Sequence, residues 1–184
     1  MGLYIAIAVA VVVVLLVIGV YNKLVGLHVR SQNAWSDIDV QLKRRHDLVP
    51  NLVETVKGYA AHESETLESV TQARTGAVAA RDAGPAERAA AEGQLTAALH
   101  GLNVAVEAYP ELQAAGGFRD LQSELSGIEE AVQNARRYYN AVVRELNTKV
   151  MQFPSNLIAG MFGFRPREFF EAGEAEREVP RIGF

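Results

Sequence analysis

Residues 3–20, LYIAIAVAVVVVLLVIGV, form an unbroken run without a charged side chain, dominated by Val, Leu, Ile and Ala. In lipid an unpaired backbone polar group is far more expensive than the few tenths of a kcal/mol of helix propensity that β-branched residues give up, so such a run must be helical there. At ~1.5 Å per residue it reaches roughly 28 Å from Leu3 to Tyr21, about the thickness of a hydrocarbon core. The lipid bilayer is therefore the first partner the sequence implies. A cleavable signal peptide predicts a basic start, a shorter apolar core and a small-x-small cleavage site. No Lys or Arg precedes this run, and Val20, Tyr21, Asn22 and Lys23 make a poor site. We read residues 1–21 as a transmembrane anchor.

Lys23, Arg30 and the Lys43-Arg44-Arg45 cluster all follow the span, and only the terminal amine precedes it. The excess of positive charge predicts an amino terminus outside and a cytoplasmic C-terminal domain. About 160 residues remain, enough for one domain with its own core. The net charge of −4, with both signs interspersed, argues against nucleic acid as a partner. The absence of Cys removes disulfide frameworks, thiolate metal sites and cysteine nucleophiles together.

Apolar residues then recur at steps of three and four. Trp35, Ile38, Leu42, Val49, Leu52, Val56, Tyr59, Val70 and Ala73 share one seam, which predicts helix from 21 to about 81. Pro50 is the single expected interruption, since it lacks an amide proton and disfavours helical geometry at Val49. Asn51 followed by Glu54 resembles a capping box opening a new helix. The seam nevertheless keeps its register across the proline, so kink and turn both stay open. Asp82-Ala83-Gly84-Pro85 predicts a turn, and 86–108 a helix with Leu95, Leu99, Leu102 and Val106 as its stripe. Tyr109-Pro110 stops it, and residues 114–117 form the next connection.

The most regular pattern follows, with Phe118, Leu125, Val132, Tyr139, Leu146 and Phe153 at sevens. Five consecutive heptads predict packing along the whole helix, of the coiled-coil kind. Helices over 51–81 and 118–151 would match in length, which gives an all-α fold: a transmembrane helix followed by an antiparallel up-and-down four-helix bundle over 22–153. Leu157, Ile158, Met161, Phe162 and Phe164 crowd into a short apolar lid at 154–170. It either packs across the end of the bundle or lies on a membrane or a neighbouring subunit. The acidic residues from Glu171 onward predict a solvated tail over 171–184.

No chemistry-bearing motif emerges. His28, His46, His62 and His100 are preceded three residues back by Val25, Lys43, Tyr59 and Ala97, so the Glu-x-x-His of di-metal bundles is absent. His62-Glu63 lacks the second His of a zinc-protease motif, and no phosphate loop or nucleophile elbow can be assembled. We expect no enzyme, catalytic residue, metal or cofactor. Several polar residues fall on or near the seam: Arg45, Glu63, Glu129, Arg136, Tyr139 and Asn140. They are either edge charges satisfied at the bundle surface or a buried network that fixes helix register, or else a docking surface.

The segments YNKLVGLHVRSQNAWSDIDVQLKRRHDLVPNLVETVKGYAAHE, VAVEAYPEL, ARRYYNAVV and FPSNLIAGMFGF, in that order after one N-terminal span, closely resemble the bacterial LemA family over residues 21–164. The resemblance implies a single-pass inner-membrane protein with a cytoplasmic four-helix bundle and no enzymatic activity, whose relatives are linked to membrane organisation, including in magnetosome-forming bacteria. Gly116-Gly117 in place of a polar loop, and a missing Tyr before Asn147, depart from the family pattern. Two functional classes stay open. One is a scaffold that self-associates as a homo-oligomer, supported by the heptads, the lid and the small face of the span at Gly2, Ala6 and Ala10. The other is a monomeric tethered adaptor that binds a protein partner at the membrane through a bundle groove. The first is the expectation carried forward.

Overall fold

The computed structural model describes residues 1–60 and 62–171. Their order is α1 (Gly2–Lys57), α2 (Ser64–Ala79), a 3-10 turn at Ala80–Asp82, α3 (Pro85–Val106), α4 (Pro110–Ala114), α5 (Gly116–Met151) and α6 (Ser155–Met161). The fold is all-α, with no strand among the described residues. Of the acidic tail only Glu171 is described, and the remainder of that expectation lies outside the described residues.

Pro50 neither ends nor replaces a helix: α1 runs through it to Lys57. A proline inside a helix leaves the carbonyl four residues earlier without its amide donor. Here that carbonyl, on His46, accepts instead from Nε of Arg74 at 2.7 Å, so the orphan acceptor is satisfied from α2. Asn51 therefore caps nothing, and its carbonyl accepts from the Thr55 hydroxyl at 2.8 Å inside the same helix. The break falls later, after Lys57. There the amides of Tyr59 and Ala60 both donate to Val56. Gly58 weakens the helix at this point, because glycine forfeits about 1 kcal/mol of helix propensity relative to alanine. The expected long helix over 51–81 is thus two pieces. Tyr59, read as a seam residue, is half exposed in the connection.

The contacts divide the chain into two compact units, and α1 and α5 contribute to both. One unit comprises Asp37–Arg136 and the described residues from Glu168. Its cross-links set the helix directions. Asp39 meets Arg81 and the His46 carbonyl meets Arg74, so α1 and α2 are antiparallel. Asp39 meets Arg88 and Arg45 meets Glu92, so α1 and α3 run the same way. Gln122 donates to Asn103, and Arg45 pairs with Glu129, so the first half of α5 opposes both. This is an up-down-up-down four-helix bundle. Ile38, Leu42, Val49, Leu52, Leu95, Leu102, Phe118 and Ile128 fill its core.

The other unit comprises Met1–Ser36 and Arg137–Arg167. In it α1 and the second half of α5 are antiparallel, with Lys23 Nζ 2.7 Å from Glu145 and the Trp35 ring 5.3 Å from that of Tyr139. Leu24, Leu27, Leu146, Ile158 and Ala159 form its buried cluster, with Val17, Val20 and Phe164 packed against it. The predicted heptads hold from Phe118 through Leu146, all buried. Phe153, past the end of α5, is largely exposed.

Candidate functional site

Two places in the fold concentrate features that packing alone does not explain. The first is a polar cluster inside the four-helix unit. Arg45 on α1 and Glu92 on α3 are nearly inaccessible, at 2% and 5% exposure. A buried charge is tolerated only when paired and hydrogen-bonded. Arg45 Nη1 lies 3.1 Å from Glu92 Oε2, and its Nη2 lies 2.6 Å from Glu129 Oε1 on α5 and donates to the Thr96 hydroxyl at 2.8 Å. The second oxygen of Glu92 is 2.7 Å from His46 Nε2. With Glu92 ionised and able only to accept, that nitrogen carries the proton and donates. One arginine thereby clips three helices together, and Arg74 adds the fourth through the His46 backbone.

A second clip lies at Asp39. Arg88, also buried, donates to Oδ1 at 2.7 Å, and Arg81 reaches Oδ2 at 3.4 Å. The Arg88 hydrogen bond holds the Asp39 carboxyl below its ordinary value. Partial burial opposes this, and the charges of Arg88 and Arg81 reinforce it. A carboxyl depressed in the folded state contributes stability that is fully present above its unfolded pKa, about 3.9, and is lost as pH falls through the folded value. The stability gap between wild type and Asp39→Asn is accordingly expected to be largest near neutrality and to close below about pH 4. Paired melting curves from pH 7 to pH 2 read this directly; a gap that stays constant across that range would remove the ion pair from the account.

The residues singled out from the sequence disperse over several contacts. Arg45 and Glu129 meet directly. Glu63 accepts from the Tyr109 hydroxyl at 3.0 Å, and this bond first, then burial, raises the phenol above its ordinary value. Arg136 Nε donates to the Phe170 carbonyl at 3.0 Å, Tyr139 packs against Trp35, and Asn140 is half-buried on α5. Glu92, His46, Arg88 and Asp39 were missed. Their signal was present: Arg88 and Glu92 continue the α3 stripe of Leu95, Leu99 and Leu102 at steps of four and three, so two charges stood at core positions.

The second place is the end of the apolar run. No residue in the most apolar 18-residue window of α1 is buried by protein, which separates it from the core helix of a soluble bundle. Gly2, Ala6 and Ala10 all lie exposed on this part of α1. α6 packs where this run ends. Gly163, at φ +76°, takes the left-handed conformation that closes a helix, and the Phe164 amide donates back to Ala159 at 2.9 Å. Asn147 then fixes the returning strand of chain with a reciprocal pair: its Nδ2 donates to the Arg167 carbonyl and its Oδ1 accepts from the Arg167 amide, both at 2.8 Å. The lid expected from the sequence is split by this arrangement. Ile158 is buried and Phe164 half-buried, whereas Leu157, Met161 and Phe162 stay exposed.

The family model described as the LemA family matches residues 34–184. The chain belongs to the LemA family. Among relatives, it is 28% identical over 160 residues to Protein LemA of Metamycoplasma hominis, covering 87% of this chain and 73% of that protein. It is 26% identical over 189 residues to Magnetosome protein MamQ 1 of Paramagnetospirillum magneticum, and 25% identical to Magnetosome protein MamQ of Magnetospirillum gryphiswaldense. Each of these alignments covers 88% of this chain and 70% of the relative. The LemA-family match begins at residue 34, past the apolar run, and extends to residue 184. This LemA-family member is a membrane-associated helical-bundle protein.

Proposed function

We propose that the chain is a single-pass, non-enzymatic anchor that self-associates and organises a patch of the bacterial inner membrane. Its amino terminus lies outside and its bundle in the cytoplasm. The observation that carries this reading is the apolar run of α1, none of whose most apolar 18 residues is buried by protein. Lys23 and Arg30, just past the run, support the orientation. The small exposed face at Gly2, Ala6 and Ala10 lets two such helices approach closely in lipid. The interior polar groups, being held by one another, are suited to a rigid frame rather than to turnover. Relatives named as magnetosome proteins support an organising role.

A second reading, a monomeric adaptor, is favoured by one feature. An open groove between α2 and α3, lined by Thr66, Ser69, Ala73, Gln94, Ala98 and Gly101, offers small and polar side chains to a partner segment. Mass measurement of the full chain in nanodiscs decides between the two. An assembly that shrinks when Gly2, Ala6 and Ala10 are all changed to Leu is the expected result. A monomer for both proteins overturns self-association and leaves the adaptor.

A further inference from the structure

The exposed apolar side chains left over from the lid are concentrated at one level of the fold. Met151, Phe153, Leu157, Met161 and Phe162 are 65%, 74%, 62%, 77% and 50% exposed, and all belong to the unit that carries the span. The contacts of that unit fix their height. Phe162 lies against Tyr21, with ring centroids 4.7 Å apart, and Tyr21 directly follows the apolar run. Phe153 and Pro154 share a shallow groove with Gly19, Val20 and Lys23. Val17 and Val20 pack on the cluster that holds Ile158. If the hydrocarbon ends near Val20, these side chains must stand at the headgroup boundary, where aromatic rings on a polar-apolar edge are favoured.

Charge points the same way. The whole chain carries −4, yet residues 148–167 contain Lys149, Arg165 and Arg167 and no Asp or Glu. Lys23, on the facing helix, is neutralised by Glu145 at 2.7 Å. An apolar segment that carries basic residues and no acid of its own suits a lipid interface, where apolar side chains enter the acyl boundary and cations meet anionic headgroups. A patch of this size seldom stays in water. The two halves of the lid thus do different jobs: Ile158, Ala159 and Phe164 hold α6 against α1 and α5 of the same unit, and Leu157 and Met161 stay exposed.

We infer that α6 and its flanks form a second, interfacial membrane contact, in which Phe153, Leu157, Met161 and Phe162 lie in the headgroup layer of the bilayer that the span crosses. This contact rests on the anchor reading. It braces the chain at two points, so that the tilt of the membrane-proximal unit is set by the lipid surface as well as by the span.

The chain has no Cys, so single cysteines at Leu157, Met161, Val12 or Tyr138 can each carry an environment-sensitive fluorophore in the full-length protein in nanodiscs. Lipids bearing a nitroxide near the headgroup are expected to quench labels at 157 and 161, and lipids bearing it deep in the acyl chain to quench the label at 12. The label at 138, exposed on α5 well away from the span, is expected to lose no fluorescence. Loss at 12 without loss at 157 and 161 overturns the interfacial contact while leaving the anchor intact. No loss at 12 overturns the anchor itself. Labels at 157 and 161 that are shielded from aqueous quencher yet untouched by nitroxide lipid also overturn the contact, by showing that a second protein surface covers α6. All the labelled positions are exposed, so none of these substitutions removes a packed side chain.

Discussion

Replacing Arg45 with Met is expected to destabilise the bundle by about 3–5 kcal/mol, a large part of the roughly 5–15 kcal/mol that separates folded from unfolded domains. The reason lies in what remains. Glu92, 5% exposed, keeps the His46 ring as its remaining side-chain partner, and Glu129 loses the guanidinium 2.6 Å away. Removing one member of a buried pair leaves its partner dehydrated and uncompensated, which is far worse than removing both. The double variant Arg45→Met with Glu92→Leu is therefore expected to recover most of the loss. Glu129, one-third exposed, can turn to water in that variant. An exposed pair supplies the contrast: Lys43 and Asp47, 66% and 59% exposed, lie 2.6 Å apart, yet Lys43→Met is expected to change stability by less than about 1 kcal/mol. Thermal melts of the four proteins in one detergent measure all of this. An Arg45→Met protein that melts with the Lys43→Met protein would mean that water reaches the cluster.

That cluster shows what the sequence could and could not reveal. Periodicity located the stripes, because each helix buries one face and the chain must repeat accordingly. Phe118, Leu125, Val132, Tyr139 and Leu146 are all buried, as their spacing demands. Arg45 and Glu129 were visible as charges on or beside seams. Their joint partner Glu92 was hidden because α3 was read by its leucines alone, though Arg88 and Glu92 share its inward face. Pairings between helices depend on the register of each against the others, which no single-helix pattern contains.

The helix runs through Pro50 and ends beside Gly58 for a related reason. Local propensity weights proline as a breaker and passes over one glycine near a helix end. Tertiary contact reverses the order: Arg74, from another helix, takes up the carbonyl that Pro50 orphans, and α1 ends beside Gly58. The apolar lid was legible as composition but not as geometry. Which of its residues face protein follows from Gly163 and from the Asn147 clamp on Arg167, and neither is an apolar signal.

The span should tolerate one charge and fail with two. Of its 18 residues from Leu3 to Val20, 13 are Val, Leu or Ile, and at about −0.3 to −0.6 kcal/mol each they favour insertion by roughly 4–8 kcal/mol. A central arginine opposes insertion by about 2.5–3.5 kcal/mol, so Val11→Arg alone leaves insertion favourable or near balance. Val11→Arg with Val14→Arg adds about 5–7 kcal/mol and removes two apolar contributions, which cancels most of the driving force or reverses it. Flotation of cell membranes after alkaline extraction is expected to find the single variant mostly with the bilayer and the double variant largely released. A double variant that floats like wild type would show that the run is not what holds the chain. The same substitutions carry a built-in control: Val11 and Val14 are each more than half exposed and pack on nothing in the bundle, so the melting of both variants in detergent is expected to match wild type. Anchoring and folding are then separable at these two positions, because Val11 and Val14 precede Val17 and Val20, the residues of the run that pack on the buried cluster.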